Sequence, residues 1–223
     1  MPFKFQDRIQ AGRFLADKLE GLASDPRLTV LALPRGGVPV AFEVARRLGA
    51  SLDVFLVRKL GAPGQEELAM GAIASGGVCF VNEEIVQALG VSQRDLEQAI
   101  ARERMELRRR ESAFRGHEMD APLLNRFVIL VDDGLATGAT MRAAVIAVGQ
   151  QNPARVIVAV PVAARDTYEQ FKTLVDDIVC VETPDHFRGV GQWYEDFTQT
   201  SDEEVRALLE QAAGFRPASA VAC

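Results

Sequence analysis

An α/β fold in one domain, its sheet mostly parallel and covered on both faces, is the architecture this sequence predicts. Three observations lead there. Apolar runs such as LTVLAL (28–33) and LDVFLV (52–57) are continuous rather than alternating, as in strands buried on both sides. Segments of helical period such as AFEVARRLG (41–49) lie between them. Glycine-containing loops such as PRGGVP (34–39) join strand ends to helix starts, which makes βαβ units.

The chain opens with QDRIQAGRFLADKLE (6–20), where Ile9, Phe14, Leu15 and Leu19 fall near one face of an amphipathic helix. The first strand ends at Pro34, and the helix after it has Gly49 as its C-cap. The second strand ends in Arg58-Lys59. GAPGQEE (61–67) fits neither element, while LAMGAIA and GGVCFV flank a Ser75-Gly76-Gly77 turn as a β-hairpin. Residues 92–115 read as one long exposed helix, with Ser92 and Asp95 at capping-box spacing and Leu96, Ile100, Leu107 and Phe114 as a narrow apolar stripe. A strand over 127–132, a loop over 133–138 and a helix through MRAAVIAVG (141–149) follow. ARVIVAVPV (154–162) and DDIVCVE (176–182) are further strands, with QFKTLV (170–175) as a short helix between them. Ser201 and Glu204 form another capping box before VRALLEQAA. No repeat or linker divides the chain, so 1–212 is read as one domain and 213–223 as a flexible tail.

Composition narrows the functional classes. The chain has 223 residues, 48% of them hydrophobic, enough for one sizeable core. Apolar runs break well before the roughly 20 residues of a membrane helix, and the N-terminus lacks the order of a signal peptide, so a cytoplasmic protein is expected. Cys79, Cys180 and Cys223 form no CxxC, and His117 and His186 are the only histidines, so neither a disulfide framework nor a cysteine/histidine metal site is expected. Cys79 and Cys180 read as small core residues. A net charge of −6 argues against a general nucleic-acid binder. The arginines of 92–115 are interleaved with Asp95, Glu97, Glu103, Glu106 and Glu111, the pattern of a solvated or subunit-contacting face.

The most informative stretch is VILVDDGLATGATM (128–141), a buried strand that ends on two carboxylates and then a loop of small residues. In open α/β sheets, ligands collect beyond the carboxyl ends of the strands, where the next helix presents unpaired N–H groups. Gly134, Gly138 and Ala139 let the backbone approach a ligand, and Thr137 and Thr140 add hydroxyl donors, the chemistry of a phosphate cradle. Asp132 and Asp133 would repel phosphate, which directs them to sugar hydroxyls or to a cation such as Mg²⁺. Together these features describe a sugar phosphate. The alternative is a surface acid pair before an ordinary helix cap. No lysine follows the loop glycines as in GxxxxGK[ST], and GxGxxG is absent.

As a whole, the string closely resembles the 5-phosphoribosyl-1-pyrophosphate (PRPP) binding motif of the type I phosphoribosyltransferases: apolar residues, two acids, then Thr-Gly-x-Thr. LALPRGGVPVAFEVARRLGASLDVFLVRK (31–59) is similar to that family's pyrophosphate loop with its following helix and strand. The resemblance, over about residues 28–162, implies a three-layer αβα domain with strand order 3-2-1-4-5-6, strand 3 coming from the hairpin and running antiparallel. Strands 1 and 4 are then neighbours, and Arg35 and Asp132 converge although 97 positions separate them. A small hood built from both chain ends and an inserted helix over 92–115 complete the implied domain.

Residue by residue, the resemblance implies that Asp132 and Asp133 hold the ribose hydroxyls and, with Arg58 and Lys59, are the catalytic groups. Ala136, Thr137, Gly138, Ala139 and Thr140 would hold the 5-phosphate, and Arg35, Gly36, Gly37, Arg58 and Lys59 the pyrophosphate. It further implies a non-proline cis peptide at Arg35–Gly36, and Mg²⁺ held mainly through ligand and water near Asp132 and Asp133. A net acidic protein must also concentrate positive charge locally to bind a leaving pyrophosphate, which the basic groups at two strand ends would do.

The implied reaction moves the 5-phosphoribosyl group from PRPP to a small-molecule acceptor, usually a base nitrogen, and releases pyrophosphate. Residues 61–77 sit where the family carries a mobile loop, with Glu66 and Glu67 as candidates for closed-state contacts. Ala136 replaces the acid of hypoxanthine- and guanine-type members, so the loop looks more like the adenine type without settling the base. Phe187, Trp193, Tyr194 and Phe197 cluster among glycines; Trp193 or Tyr194 could stack on a planar base or pack against the opening helix. A regulator that binds PRPP or nucleotides, and a hydrolase of PRPP-like sugar phosphates, are the alternatives. Family members commonly dimerise, and the sequence itself specifies no oligomer.

Overall fold

The computed structural model describes residues 4–23, 25–62, 65–115 and 123–215, without the side chains of 65–68 and 115. In chain order the strands are β1 (Leu28–Ala32), β2 (Ser51–Val54), β3 (Val57–Ala62), β4 (Gln65–Ala74), β5 (Cys79–Val81), β6 (Phe127–Val131), β7 (Arg155–Val162) and β8 (Asp177–Glu182). The helices are α1 (Arg8–Lys18), α2 (Gly37–Leu48), α3 (Glu83–Ala88), α4 (Gln93–Arg115), α5 (Ala139–Gly149), α6 (Arg165–Phe171) and α7 (Asp202–Ala212).

Five strands form one parallel sheet in the order β2-β1-β6-β7-β8, which is the expected 2-1-4-5-6. The antiparallel hairpin expected as strand 3 is present, but it forms its own sheet, β3-β4-β5. The apolar run 52–57 is therefore not one strand. Phe55 N donates to Ala32 O, whereas Ser75 N donates to Leu56 O, so the chain passes from the first sheet to the second between these two residues.

Alternation along the central strands divides the core in two. Val30, Ala32, Ile129, Val131, Ile157 and Ala159 face one cluster, which α1, α2 and α7 also fill. Leu31, Val128, Leu130, Val156, Val158 and Val160 face the other, filled by Met141, Ala144, Ala147 and Val148 of α5 and by Phe171 of α6. This is the three-layer arrangement the continuous apolar runs require.

Several element ends match the sequence signals. Gly49 is left-handed at φ 65° and closes α2. The Ser201 hydroxyl accepts from Glu204 N at 3.1 Å, and that of Ser92 accepts from Asp95 N at 3.2 Å. Two elements differ. α1 buries Ala11, Gly12, Leu15 and Ala16, while Ile9 and Phe14 are exposed, because α1 lies so close to α2 that a side chain at Gly12 would stand 2.7 Å from Val40 O. The helix expected at 170–175 is α6, five residues earlier, since Thr167 and Phe171 face the interior and Leu174 does not. Of the expected tail, Ala213–Phe215 form a 3-10 turn, with Phe215 against Phe42 at 5.2 Å between ring centres. Residues 216–223 lie outside the described residues, as does His117.

Candidate functional site

The crevice forms where β1 and β6 lie side by side in register, Ala32 opposite Val131, so that both strand ends open on the same edge. Leu33 N continues the pairing by donating to Val131 O at 2.8 Å, and Gly37 N closes the next turn on Leu33 O at 3.1 Å. The loop at Arg35–Gly37 is thereby laid against the end of β6. A side chain on Gly36 would stand 2.1 Å from Asp133 Oδ2, and one on Gly37 would stand 2.7 Å from Val131 O. Glycine is needed at both positions for this close approach. The non-proline cis peptide is at Pro34–Arg35, one bond before the expected Arg35–Gly36, within the turn that runs from Leu33 to Gly37.

Asp132 and Asp133 end β6 at this edge. Asp132 Oδ1 accepts from Asp133 N at 2.8 Å, and Asp133 Oδ2 accepts from Arg8 Nε at 2.8 Å and pairs with Arg8 Nη2 at 2.8 Å. Among the described residues, no side chain and no other residue's amide donates to Asp132 Oδ2 or Asp133 Oδ1, which leaves two carboxylate oxygens on adjacent residues open to a ligand. Burial and then the neighbouring Asp133 charge push the Asp132 carboxyl well above the usual carboxylate range, against the pull of Arg8. Burial also raises Asp133, with the Arg8 guanidinium opposing it.

The loop from Gly134 to Gly138 is anchored from below. Leu135 N donates to Val162 O and Ala164 N to Leu135 O, while Thr167 Oγ1 donates to Ala136 O at 2.6 Å. Gly138, at φ 71°, packs on Phe171 and Thr167 and begins α5 without a side-chain cap. Ala136, Thr137, Ala139 and Thr140 are exposed. A helix start without a side-chain cap and two exposed hydroxyls thus stand beside the carboxylates, an arrangement whose amides and dipole favour an anion.

The basic residues are less tightly grouped. Arg35 reaches the first turn of α7, 3.3 Å from Asp202 Oδ1. Arg58 lies on β3 and is drawn to α4, with Nε and Nη2 at 2.9 and 2.6 Å from Glu103 Oε2. Lys59, beside it, is exposed and has no carboxylate partner among the described residues. The backbone of Glu66 and Glu67 lies in β4, and their side chains are outside the described residues.

Of the two hood aromatics, Tyr194 is not open to a stacking ligand. It is 3% exposed, packed between Phe5 and Phe197 at 5.5 and 5.1 Å, and its hydroxyl donates to Asp133 O at 2.6 Å. Trp193 is only partly buried, and its Nε1 is buried without a partner. Val190 of the same hood fills the space above Gly134. Sequence reasoning missed Arg8, because its carboxylate partner lies 125 positions away.

Two other features stand apart from the crevice. Burial pushes the Cys180 thiol up to about 12, so it stays protonated at neutral pH and is no nucleophile. A cavity of about 510 Å³ lies between α1 and α2, lined by Arg13, Glu43, Arg46 and Arg47, away from both strand ends. Among the described residues, no helix is long and apolar enough to cross a membrane, and no three acids, cysteines or histidines cluster as metal ligands. Two adjacent carboxylates with free oxygens do fit a Mg²⁺ carried by substrate oxygens and water, since that ion commonly takes only one or two protein carboxylates.

Residues 4–198 match the family model described as the phosphoribosyl transferase domain. A Mycobacterium tuberculosis H37Rv protein named "Putative phosphoribosyl transferase Rv0571c" is 46% identical over 208 residues, 93% of this chain and 47% of that protein. The chain spans about half the length of this curated relative. The crystal structure of TT1426 from Thermus thermophilus is 45% identical and superposes with a TM-score of 0.83, covering 94% of this chain and 99% of that one. By the match over most of its length and by these relatives, the chain belongs to the phosphoribosyl transferase family.

Proposed function

We propose that this chain transfers the 5-phosphoribosyl group of PRPP to a small nitrogenous acceptor with release of pyrophosphate, assisted by Mg²⁺. The observation that carries this reading is the pair of free carboxylate oxygens on Asp132 and Asp133 beside the uncapped start of α5. Ribose hydroxyls donate to those oxygens. The 5-phosphate lies on the amides of Ala136–Thr140 and on the Thr137 and Thr140 hydroxyls. The pyrophosphate lies along Arg35–Gly37, where missing side chains allow backbone approach and the Arg35 guanidinium adds charge. Lys59 is available as a further cation, and Arg58 contributes if a phosphate competes with Glu103 for it.

As the bond from C1 to pyrophosphate breaks, positive charge develops on the sugar ring, and the carboxyl oxygens of Asp132 and Asp133 stabilise it. Mg²⁺, when bound, neutralises charge on the departing pyrophosphate. Trp193, partly buried against the cluster of Phe5 and Tyr194, is the remaining one of the two aromatics that would stack on a planar acceptor. The net charge of −6 and the paired arginines of α4 favour a small-molecule acceptor over nucleic acid.

The deciding experiment supplies PRPP, Mg²⁺ and a panel of bases and amines and follows pyrophosphate. Release that depends on one acceptor supports transfer. Release without any acceptor identifies a hydrolase, and binding without release identifies a regulator. Absence of PRPP binding overturns the reading altogether.

A further inference from the structure

Arg8 belongs to none of the roles above, yet it is the most heavily engaged cation in the crevice. Its Nε and Nη2 both meet Asp133 Oδ2 at 2.8 Å, and its Nη1 donates to Thr198 O at 2.7 Å. The guanidinium lies over the Phe197 ring at 4.0 Å and near Tyr194 at 5.9 Å, and its side chain is only 11% exposed. Tyr194 in turn donates to Asp133 O. One side chain from the first turn of α1 therefore fixes a carboxylate at the end of β6 and the last part of the hood at once. It uses a single oxygen of Asp133, so Oδ1 stays free for a ligand.

We propose that Arg8 is a positioning residue for the ribose end of the substrate: it orients Asp133 so that Oδ1 faces the ligand, and it locks the hood segment 194–198 to that carboxylate. This rests on the PRPP reading above. The two donors fix the place of Oδ2, which a lone ammonium would not do as well. The stacked Phe197 ring holds the guanidinium plane. The chemistry makes a specific demand. Arg8 donates to Asp133 and to the hood and makes no hydrogen bond to the loop at Arg35–Gly37, although its Nε stands 3.3 Å from where a side chain on Gly36 would begin, so its loss should be felt far more by ligands that carry a ribose than by inorganic pyrophosphate.

The test is calorimetry with Mg²⁺ on Arg8→Met, Arg8→Lys and wild type, using ribose 5-phosphate and inorganic pyrophosphate as separate probes. In R8M, ribose 5-phosphate affinity should fall about tenfold or more while pyrophosphate affinity changes less than about twofold, and R8K should recover part of the loss. Equal losses for both probes, or none, overturn the role of Arg8 while the crevice reading stands. If R8M does not fold, R8K decides between the same outcomes, with a smaller but still selective loss expected. A wild type that binds neither probe overturns the crevice reading and this inference with it.

Discussion

Asp132 and Asp133 are neighbours with unequal prospects on mutation. The Asp132 carboxyl is raised by burial and by Asp133, so between its unfolded value of 3.8 and its folded value the native state holds a proton that the unfolded chain has released. Stability contributed at Asp132 is therefore greatest below that window and falls as pH rises through it. Asp132→Asn removes the penalty: the ligand-free variant should melt above wild type at pH 7–8, and the gain should vanish near about pH 4. Its kcat/KM should nevertheless drop about 100-fold or more, because the second acceptor oxygen for the ribose hydroxyls is gone. A lower Tm at neutral pH would contradict this account of Asp132. Burial raises Asp133 as well, against the pull of Arg8, so Asp133→Asn should gain less stability at pH 7–8 than Asp132→Asn does. Gly36→Ala probes the same contact from the facing loop. Its methyl would stand 2.1 Å from Asp133 Oδ2 and displace that carboxylate, so kcat/KM for PRPP should fall about tenfold or more.

At the scale of elements, α4 is more than a solvated insertion. It packs on β3 and β4, and its inner face carries two acids, Glu103 and Glu111, each 8% exposed. Glu103 holds Arg58 of β3, and Glu111 accepts from Ser75 Oγ at 2.7 Å. Ser75 Oγ also accepts from Leu56 N at 3.0 Å, at the point where the chain crosses from one sheet to the other. Ser75→Ala should thus cost about 1–3 kcal/mol in denaturant unfolding, a loss that an exposed serine such as Ser92 would not match by more than its capping contribution of about 1 kcal/mol. The apolar stripe of α4 was legible from its period: Leu96, Leu107 and Phe114 are buried as expected. The alternation of charges in the sequence places Glu103 and Glu111 on a solvated face, but positions 103, 107, 111 and 114 share one side of the helix and both acids are buried. What the sequence withheld was their partners, 45 and 36 positions away. The crevice shows the same division. Asp132 to Thr140 is one contiguous strand-loop-helix and can be read locally, whereas Arg8 and the sealed position of Tyr194 depend on contacts that only the assembled fold creates.

For the molecule as a whole, the two large core clusters sit on either face of the parallel sheet, and a third, small one closes the hood over the crevice. That third cluster contains Phe5, Ala11, Val162 and Tyr194. It joins segments from the two ends of the described chain: Phe5 N donates to Trp193 O, Glu195 N to Phe5 O and Asp196 N to Gln6 O, each at 2.8–2.9 Å. Phe5 is fully buried here and has aromatic contacts with both Phe14 and Tyr194. Replacing it with alanine would normally cost about 3–5 kcal/mol in a core. Because this cluster is separate from the other two, the loss should appear first as local opening of the hood rather than as global unfolding. In Phe5→Ala, amide exchange at Glu195 and Asp196 should accelerate by about 100-fold or more, while the paired amides of β1 and β6 keep most of their protection. Emission from Trp193, the single tryptophan of the chain, should shift to the red as its surroundings become wetter. A uniform rise in exchange across β1, β6 and the hood would mean that the three clusters unfold as one unit, and that the hood has no independent freedom to open over the crevice.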